Sequence, residues 1–487
     1  MKFALTLFSV LILIAIPGYQ AHADLRAGAN VTDITPLPGH FPISTAGSMS
    51  AVYIDNTDER IHCRTLMLGN EKDENLVSFT IVDSCLVPRD IADSAKCLAS
   101  EKTGIPAANM TIAASHTHSA PASTPAFQSN PQVSYQIFLA EKIAESIAAA
   151  YAKLEPAEAG WAVGEDASQV FNRRWFVTEP YENPFGETTD KVRMNPGHDK
   201  GGGKVSKPAG PVDPAVPVLA VRSSDSSKKP IGLLANYSLH YVGNPPRTKD
   251  GKPQLSGDYF ARFADIMAEK VAPTQDDFVA ILSNGTSGDI NNIDYSSPPP
   301  EQKYEPGEKM MIVANSVAEA AYSAFQSIEY SADLPIAVAA RELDLGVRKA
   351  DEEGLKRAHE ILGSPEQLIN GNLKARDAIY ARETIQLREY PDTVPVRLQS
   401  VRIGDLCINT TPCETFVEIG LELSPFETTF TIELANGYNG YLPTPQQHEW
   451  GGYETWRAKS SYLEVDASVK VVDAFKELMA ELKSGAK

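Results

Sequence analysis

The chain has 487 residues and a formal net charge of −19, from 63 acidic and 44 basic side chains. Apolar residues make up 43% of it and charged residues 22%, which excludes a disordered chain and a multi-span membrane protein. The acidic excess argues against binding to nucleic acid and against adsorption to anionic lipid, because both need a basic surface. It leaves open the binding of an amphiphile in an apolar groove.

The first 23 residues have the pattern of a secretory signal peptide. An apolar run from Phe3 to Ile16 follows a basic start, and Ala21 and Ala23 give the small-residue pattern of a cleavage site. The run is shorter than the about 20 residues of a spanning helix, so cleavage is favoured over an uncleaved anchor. We expect an exported bacterial protein, periplasmic or secreted, without stable membrane insertion, whose residues 24–487 form one domain.

Strand and helix patterns alternate along the chain, and this predicts an α/β (α+β) fold with a mixed β-sheet core flanked by helices. The predicted elements, in chain order, are a strand at 76–82, a helix at 90–103, a strand at 110–114, a helix at 135–154, strands at 216–222 and 231–240, a helix at 260–270, a strand at 279–282, helices at 310–328 and over most of 350–388, strands at 396–403 and 406–409, a helix at 414–423, a strand at 430–435 and a helix at 461–482.

Residues 171–217 are rich in glycine and proline and poor in apolar side chains. A segment of this length without regular structure is usually functional, so we expect a lid or substrate loop. Its cations, among them Arg174, Arg193 and Lys204, would favour a polar or anionic substrate if they lie near the site. Alternatively, they pair with the acidic residues of the same segment, which we favour.

Ser-His-Thr-His at 115–118 is the strongest local signal for chemistry. His116 and His118 follow a predicted strand, and side chains at i and i+2 point the same way if strand geometry continues. The pair suits a metal ligand with a neighbouring acid–base group, or two loop histidines that merely form hydrogen bonds. His240 ends another apolar run and by itself would be a buried core histidine. Glu414 alone could be a carboxylate at a helix N-terminus.

Seven short motifs in a fixed order resemble the neutral/alkaline (non-lysosomal) ceramidase family, over about residues 27–462. The motifs are Ala-Gly to Asp-Ile-Thr-Pro (27–36), Ser-His-Thr-His-Ser (115–119), Phe-Asn-Arg (171–173), the apolar strand that ends in His240, Ser-Gly-Asp (287–289), Pro-Cys-Glu-Thr (412–415), and Gly-Tyr, Pro-Thr-Pro and Gly-Tyr-Glu (440–454). The resemblance implies the catalytic N-terminal domain only, without the family's C-terminal immunoglobulin-like domain. It implies a zinc-dependent hydrolase that cleaves the amide bond of an N-acyl sphingoid base.

The resemblance also implies the metal ligands, which fall on His116, His240, Glu414 and Tyr441. Two imidazoles, a carboxylate and a phenolate suit one Zn²⁺ per chain at a site that stays open to water. Zinc makes hydroxide available near neutral pH.

Further residues take their roles from the same resemblance. His118 would be the proton shuttle, and Arg173 would polarise the substrate carbonyl or stabilise the oxyanion. Tyr453 and Tyr462 would line the substrate site.

Two positions depart from the family pattern. Asn291 stands where the family has a serine, so a nucleophilic serine is not available there, whereas hydrolysis by zinc-activated water is unaffected. If that serine binds the sphingoid hydroxyl, Asn291 could still form a hydrogen bond, but to a differently shaped head group. His448 replaces a tyrosine, and we expect it at the rim of the site.

Three functions therefore compete. The first is a secreted zinc amidase of ceramidase type that acts on a lipid. The second is a zinc amidase or esterase on a different, more polar acylated substrate. The third is a non-catalytic lipid- or glycan-binding protein of the same fold. Because all four metal positions carry competent donors, the sequence favours a catalyst.

Overall fold

The computed structural model describes residues 25–70, 75–198, 204–301, 303–363, 373, 375–424 and 428–485. The predicted signal peptide, residues 1–23, lies outside the described residues. Within the described part, no helix has both the length and the apolar character that crossing a bilayer requires.

Strands of the described residues are numbered in chain order. They are β1 (Leu25–Asp33), β2 (Ile43–Thr45), β3 (Val52–Ile54), β4 (His62–Asn70), β5 (Val77–Val82), β6 (Met110–Ala114), β7 (Glu155–Glu165), β8 (Phe171–Asn172), β9 (Arg174–Val177), β10 (Val192–Met194), β11 (Val205–Pro208), β12 (Ala215–Ser223), β13 (Pro230–Tyr237), β14 (Val279–Asn284), β15 (Ile290–Asn291), β16 (Ile336–Gly346), β17 (Thr393–Ile403), β18 (Leu406–Thr410), β19 (Glu414–Thr415), β20 (Thr428–Ile432) and β21 (Tyr441–Leu442).

The α-helices of the described residues are amphipathic or buried segments between these strands. They are α1 (Arg89–Thr103), α2 (Val133–Ala152), α3 (Asp258–Val271), α4 (Glu308–Gln326), α5 (Glu352–Leu362), α6 (Arg376–Arg388), α7 (Val417–Leu423), α8 (Pro445–Trp450) and α9 (Ala467–Ser484). In α2, buried Tyr135, Leu139, Ile143 and Ile147 recur at every fourth position, which is the spacing of one helix face.

Eight strands form the main sheet in the order β14-β13-β12-β7-β1-β4-β5-β6. Strands β13 and β14 are parallel at one edge, β5 and β6 are parallel at the other, and the pairs between them are antiparallel. Strand β14, at one edge of the sheet, contacts β4, β5 and β6 near the other edge, which shows that the sheet is strongly coiled. Coiling therefore brings the ends of strands from opposite edges close together.

A second sheet, β16-β17-β18-β20, packs on the first. The core between them contains Phe79, Leu219 and Ile281 from the main sheet and Val401 and Ile408 from the second sheet. The outer face of the main sheet is covered by α1 and α2 at one end and by α3 and α4 at the other, and α9 covers the second sheet. The predicted α/β (α+β) class with a mixed sheet flanked by helices is confirmed.

Several predicted elements differ from the structure in their bounds, and two differ in kind. Segment 171–217 is not an irregular loop, since it contains β8 to β11, three of which form a small sheet in the order β10-β9-β11. Glu414 does not begin a helix: it lies in β19, and α7 begins at Val417. Backbone pairing of Glu414 with Tyr441, a partner far along the chain, overrides the local helical pattern.

Candidate active site

His116, His240 and Glu414 converge at one buried point. The Nε2 atoms of the two histidines lie 2.9 Å apart. Glu414 Oε2 lies 3.4 Å from Nε2 of His116 and 3.9 Å from Nε2 of His240. Three of the four predicted metal ligands therefore present donor atoms to a common point.

Backbone carbonyls fix the tautomer of both imidazoles. His116 Nδ1 lies 2.9 Å from the carbonyl oxygen of Cys85, and His240 Nδ1 lies 3.3 Å from that of Ser287. Because a carbonyl only accepts, each Nδ1 carries the proton and donates it, which leaves a lone pair on each Nε2. Two lone pairs and a carboxylate then face one another, an arrangement that is stable when a cation lies between them.

Zinc fits this donor set. It binds imidazole nitrogen at about 2.0–2.1 Å and carboxylate oxygen at about 2.0–2.2 Å, and it accepts both donor types together. Burial alone would lower the pKa of His116, but neighbouring Cys85 and Glu414 raise it well above its usual range. The shift indicates that positive charge is stabilised at this point, whether it is a proton on His116 Nε2 or a bound cation that takes the proton's place.

Tyr438 and Tyr441 hold the Glu414 carboxylate. The Tyr438 hydroxyl donates to Glu414 Oε1 at 2.8 Å, which leaves Oε2 facing the imidazoles. Tyr441 pairs with Glu414 through the parallel β19–β21 backbone and also hydrogen-bonds to its side chain. Burial, and then the charge of Glu414, raise the pKa of Tyr441 well above its usual value, so the phenol is protonated in this state. The role of Tyr441 as a fourth ligand stays a prediction.

The i, i+2 spacing predicted that His116 and His118 point the same way because the strand continues through them, but the strand does not continue. Strand β6 ends at Ala114, and His116 has a positive φ of 72°, which turns the chain sharply. The two Nε2 atoms nonetheless lie 3.3 Å apart. A strained backbone conformation at this point is consistent with a functional constraint.

The His118 ring is held on two sides. It stacks on Tyr241, with ring centroids 3.5 Å apart and planes 13° from parallel. The ring also contacts Gly47, which has a φ of 100° and where a β-carbon would approach His118 Cγ to 2.2 Å. Burial, His116 and Arg173 hold the pKa of His118 well below its usual value, so the ring is neutral and can accept a proton.

Arg173 is fixed by three hydrogen bonds. Its Nη2 donates to the Gly288 carbonyl at 2.7 Å and to the Tyr441 hydroxyl at 3.1 Å, and its Nε donates to Glu454 Oε1 at 2.9 Å. Glu454 Oε2 also accepts from Arg174 at 2.5 Å. The expected pairing of Arg174 with acidic residues of its own segment is thus wrong, since Arg174 is fully buried against Glu454. Sequence reasoning missed Glu454, although it lies in the Gly-Tyr-Glu motif.

Two cavities flank the cluster and share Gly47, His118, Tyr441 and Tyr453 in their linings. The larger, of about 600 Å³, also contains the predicted residues Arg173 and Asn291, together with His240. The smaller, of about 150 Å³, contains His116, Glu414 and the predicted residue Tyr462. A substrate that spans the cluster would therefore extend into two separate spaces.

Asn291 lies in the larger cavity with most of its amide engaged. Its Nδ2 donates to Asn195 Oδ1 at 2.9 Å and to the Tyr295 hydroxyl at 3.4 Å, and its Oδ1 accepts from the Ile293 amide at 3.0 Å. His448 was predicted at the rim of the site, but it lies on α8 and is not among the residues that line either cavity. Burial lowers its pKa to about 3.

Two buried carboxyls behind the cluster were not assigned a role from the sequence. Glu433 accepts from Ser287 Oγ and from the Thr415 amide, both at 2.7 Å, and burial raises its pKa to about 8. Asp289 accepts from the Val417 amide at 2.9 Å, and burial raises its pKa to about 7. They tie the segment after β14 to the segment that carries Glu414.

Comparison with known proteins gives a structural likeness only. No protein-family model matches the sequence, and no curated protein matches it. The fold is similar to the crystal structure of neutral ceramidase from Pseudomonas aeruginosa, with a TM-score of 0.69 and 16% identity, over 95% of this chain and 75% of that one. It is also similar to a ceramidase complexed with C2, with a TM-score of 0.67 and 15% identity, over 95% of this chain and 76% of that one.

The chain is thus an α/β protein of two packed sheets with a buried His–His–Glu cluster. More specifically, it has the neutral ceramidase fold, as the order of its motifs implied. At identities this low, the likeness establishes the fold and leaves the activity to be argued from the site.

Proposed function

We propose that the protein is a zinc-dependent hydrolase that cleaves the amide bond of an N-acyl sphingoid base, ceramide, or of a related acylated lipid. The observation that supports this most directly is the cluster of His116, His240 and Glu414, whose free donor atoms face one another within the fold of a neutral ceramidase. These residues, with Tyr441 beside them, would hold one zinc ion per chain. Zinc lowers the pKa of a coordinated water to about 7 and polarises a carbonyl oxygen.

His118 is the proton carrier in this proposal. Its neutral ring lies within hydrogen-bond reach of the cluster, with Nε2 3.3 Å from Nε2 of His116. It takes the proton from the attacking water and delivers it to the nitrogen of the departing amine. Stacking on Tyr241 and contact with Gly47 hold the ring in place during both transfers.

Arg173 stabilises the oxyanion that develops on the scissile carbonyl. The guanidinium is anchored by Glu454 and the Gly288 carbonyl, so it needs no reorganisation as charge develops. Asn291 supplies no nucleophilic hydroxyl, which is consistent with attack by water. Its side chain, with those of Tyr453 and Tyr462, would contact the substrate in the two cavities.

Export and organisation belong to the same proposal. The pattern of residues 1–23 supports export to the periplasm or the medium. The core shared by the two sheets supports residues 24–487 acting as a single catalytic domain.

Hydrolysis of a fluorescent N-acyl sphingosine by the purified protein tests the proposal. We expect turnover that a zinc chelator abolishes, that added zinc restores, and that His240→Ala lacks. His359→Ala is the matched control and should retain full turnover, because His359 is exposed on helix α5 and lines neither cavity. Turnover that is insensitive to the chelator would reject the zinc mechanism. A zinc-loaded protein that leaves ceramide intact would reject that substrate.

A further inference from the structure

A third cavity, of about 580 Å³, lies between helix α1 and the paired strands β16 and β17 of the second sheet. Helix α1 contributes Asp93, Lys96 and Ser100 to its lining. The strands contribute Glu342 and Arg397, which lie directly opposite each other in the β16–β17 register. Among the described residues, none that lines this cavity also lines either cavity of the candidate active site. The third cavity is therefore a separate feature of the fold.

Lys96 is a buried lysine without a partner. It is 3% exposed, and its Nζ forms no hydrogen bond or ion pair with any residue that the structure describes. The Nζ atom is nonetheless not among the polar atoms that are sealed from solvent. Lys459, in the smaller cavity, differs, because its Nζ lies 3.5 Å from Glu383 Oε1. Lysine is almost never buried unless its charge is paired, so Lys96 offers unused donors to the third cavity.

The carboxylates of the third cavity are already paired with arginines. Asp93 Oδ1 accepts from Arg397 Nη1 at 2.5 Å, and Glu342 Oε2 accepts from Arg89 Nη2 at 2.6 Å. Two acids thus balance two arginines, and Lys96 remains as one unbalanced positive charge. The remaining cation of the lining, that of β16, is Arg341, which pairs with acidic side chains of α9.

The surroundings of Lys96 disfavour its charge as they stand. Burial, and then the charge of Arg397, lower the pKa of Lys96 to about 7, while Asp93 offsets only part of this shift. An anion beside the amine would favour the protonated form. Binding of an anion near neutral pH should therefore be accompanied by uptake of a proton.

We propose that the third cavity binds the carboxylate of a small organic acid, with Lys96 as its counterion. One unbalanced charge matches a monoanion, whereas Asp93 and Glu342 in the same lining repel a dianion such as phosphate. Ser100 lies one helical turn after Lys96, and its hydroxyl can donate to the second carboxylate oxygen. Apolar surface for a short aliphatic chain comes from Ala107, Ala108 and Ala340. This site does not depend on the proposed amide hydrolysis.

Titration of the purified, zinc-loaded protein with sodium butyrate, at constant chloride and ionic strength, tests the proposal. Isothermal titration calorimetry in two buffers of different ionisation enthalpy measures both affinity and proton uptake. We expect Lys96→Met to bind butyrate at least about tenfold more weakly than the wild type. Lys102→Met is the matched control and should bind like the wild type, because Lys102 is exposed on the same helix and is not in this lining. Equal affinity in the wild type and a folded Lys96→Met would overturn the site.

Two further arms on the wild type keep the test decisive if Lys96→Met does not fold. Butyramide, which has the same shape without the charge, and inorganic phosphate should each bind at least about tenfold more weakly than butyrate. Butyrate should also bind equally well after zinc is removed with a chelator, since a carboxylate that binds zinc would lose its site. Binding that disappears with zinc, or that does not distinguish butyrate from butyramide or phosphate, would overturn the proposal and leave the proposed function in place.

Discussion

Arg173 and Glu454 form an ion pair that is buried on both sides, with Nε 2.9 Å from Oε1 and side-chain exposures of 5% and 0%. The other carboxylate oxygen of Glu454 binds Arg174, which is also fully buried. The Glu454 carboxylate thus fixes two guanidinium groups: that of Arg173, which faces the cluster, and that of Arg174, which faces the protein interior. This arrangement makes Glu454 a positioning residue for the proposed oxyanion site.

Glu454→Gln should lower both stability and turnover. The amide cannot balance two buried guanidinium groups, and breaking such a pair costs about 3–5 kcal/mol. Urea unfolding measures the first effect, and kcat on the fluorescent amide measures the second. Glu449→Gln is the control, because its pair with Lys191 is exposed to solvent and should contribute little to stability. Equal stability and equal kcat in the two variants would contradict the positioning role.

Tyr438→Phe should weaken zinc binding. The substitution removes the hydroxyl that donates to Glu414 Oε1 at 2.8 Å and holds Oε2 toward the histidines. Loss of such a supporting hydrogen bond typically costs about 10–100-fold in metal affinity. Competition with a chromophoric chelator measures the affinity, with Tyr330→Phe, in a different core, as the control. Unchanged affinity in Tyr438→Phe would show that Glu414 needs no such support.

His118→Gln should separate proton transfer from metal binding. We expect kcat to fall by about 10²–10⁴-fold, the usual contribution of a general acid–base group, while zinc content stays that of the wild type. Steady-state kinetics and metal analysis on the same preparation measure the two quantities. Loss of zinc from this variant would make His118 a ligand, and an unchanged kcat would remove it from the mechanism.

Asp289→Asn should change how stability depends on pH. Burial raises the pKa of Asp289 from 3.8 to about 7, so the folded protein holds this proton more tightly than the unfolded chain does. The resulting stabilisation is fully present below pH 3.8 and is lost as pH rises through about 7. The variant cannot ionise here, so the stability of the wild type relative to it should fall across this range. Parallel curves from denaturant unfolding at several pH values would contradict the shift.

Much of the fold was predictable because its strands and helices carry strong local patterns. Strand β5 is buried at every position and reads as a continuous apolar run, and α2 has apolar residues at helical spacing. Strands with glycine or polar residues gave no such signal: β1 begins Leu-Arg-Ala-Gly, and its strand character comes from pairing with β4. Segment 171–217 was misread for the same reason, since short strands in a small sheet are specified by their partners.

The candidate site was predictable where one residue type carries the chemistry. His116 and His240 stand out because the chain has only nine histidines and both of these follow apolar runs. Glu454 and Glu433 did not stand out, because a carboxylate has no sequence signature for the buried partner it will meet. Nor could the sequence place Glu383 beside Lys459, since only the packing of α6 against the segment after α8 brings them together.

Zinc content of the purified protein tests the central claim most directly. The account predicts about one zinc per chain in the wild type, measured by inductively coupled plasma mass spectrometry after dialysis, and almost none in a folded His240→Ala variant. Equal zinc in both proteins, or a wild type without zinc that still hydrolyses the amide, would contradict the assignment of His116, His240 and Glu414 as the metal centre.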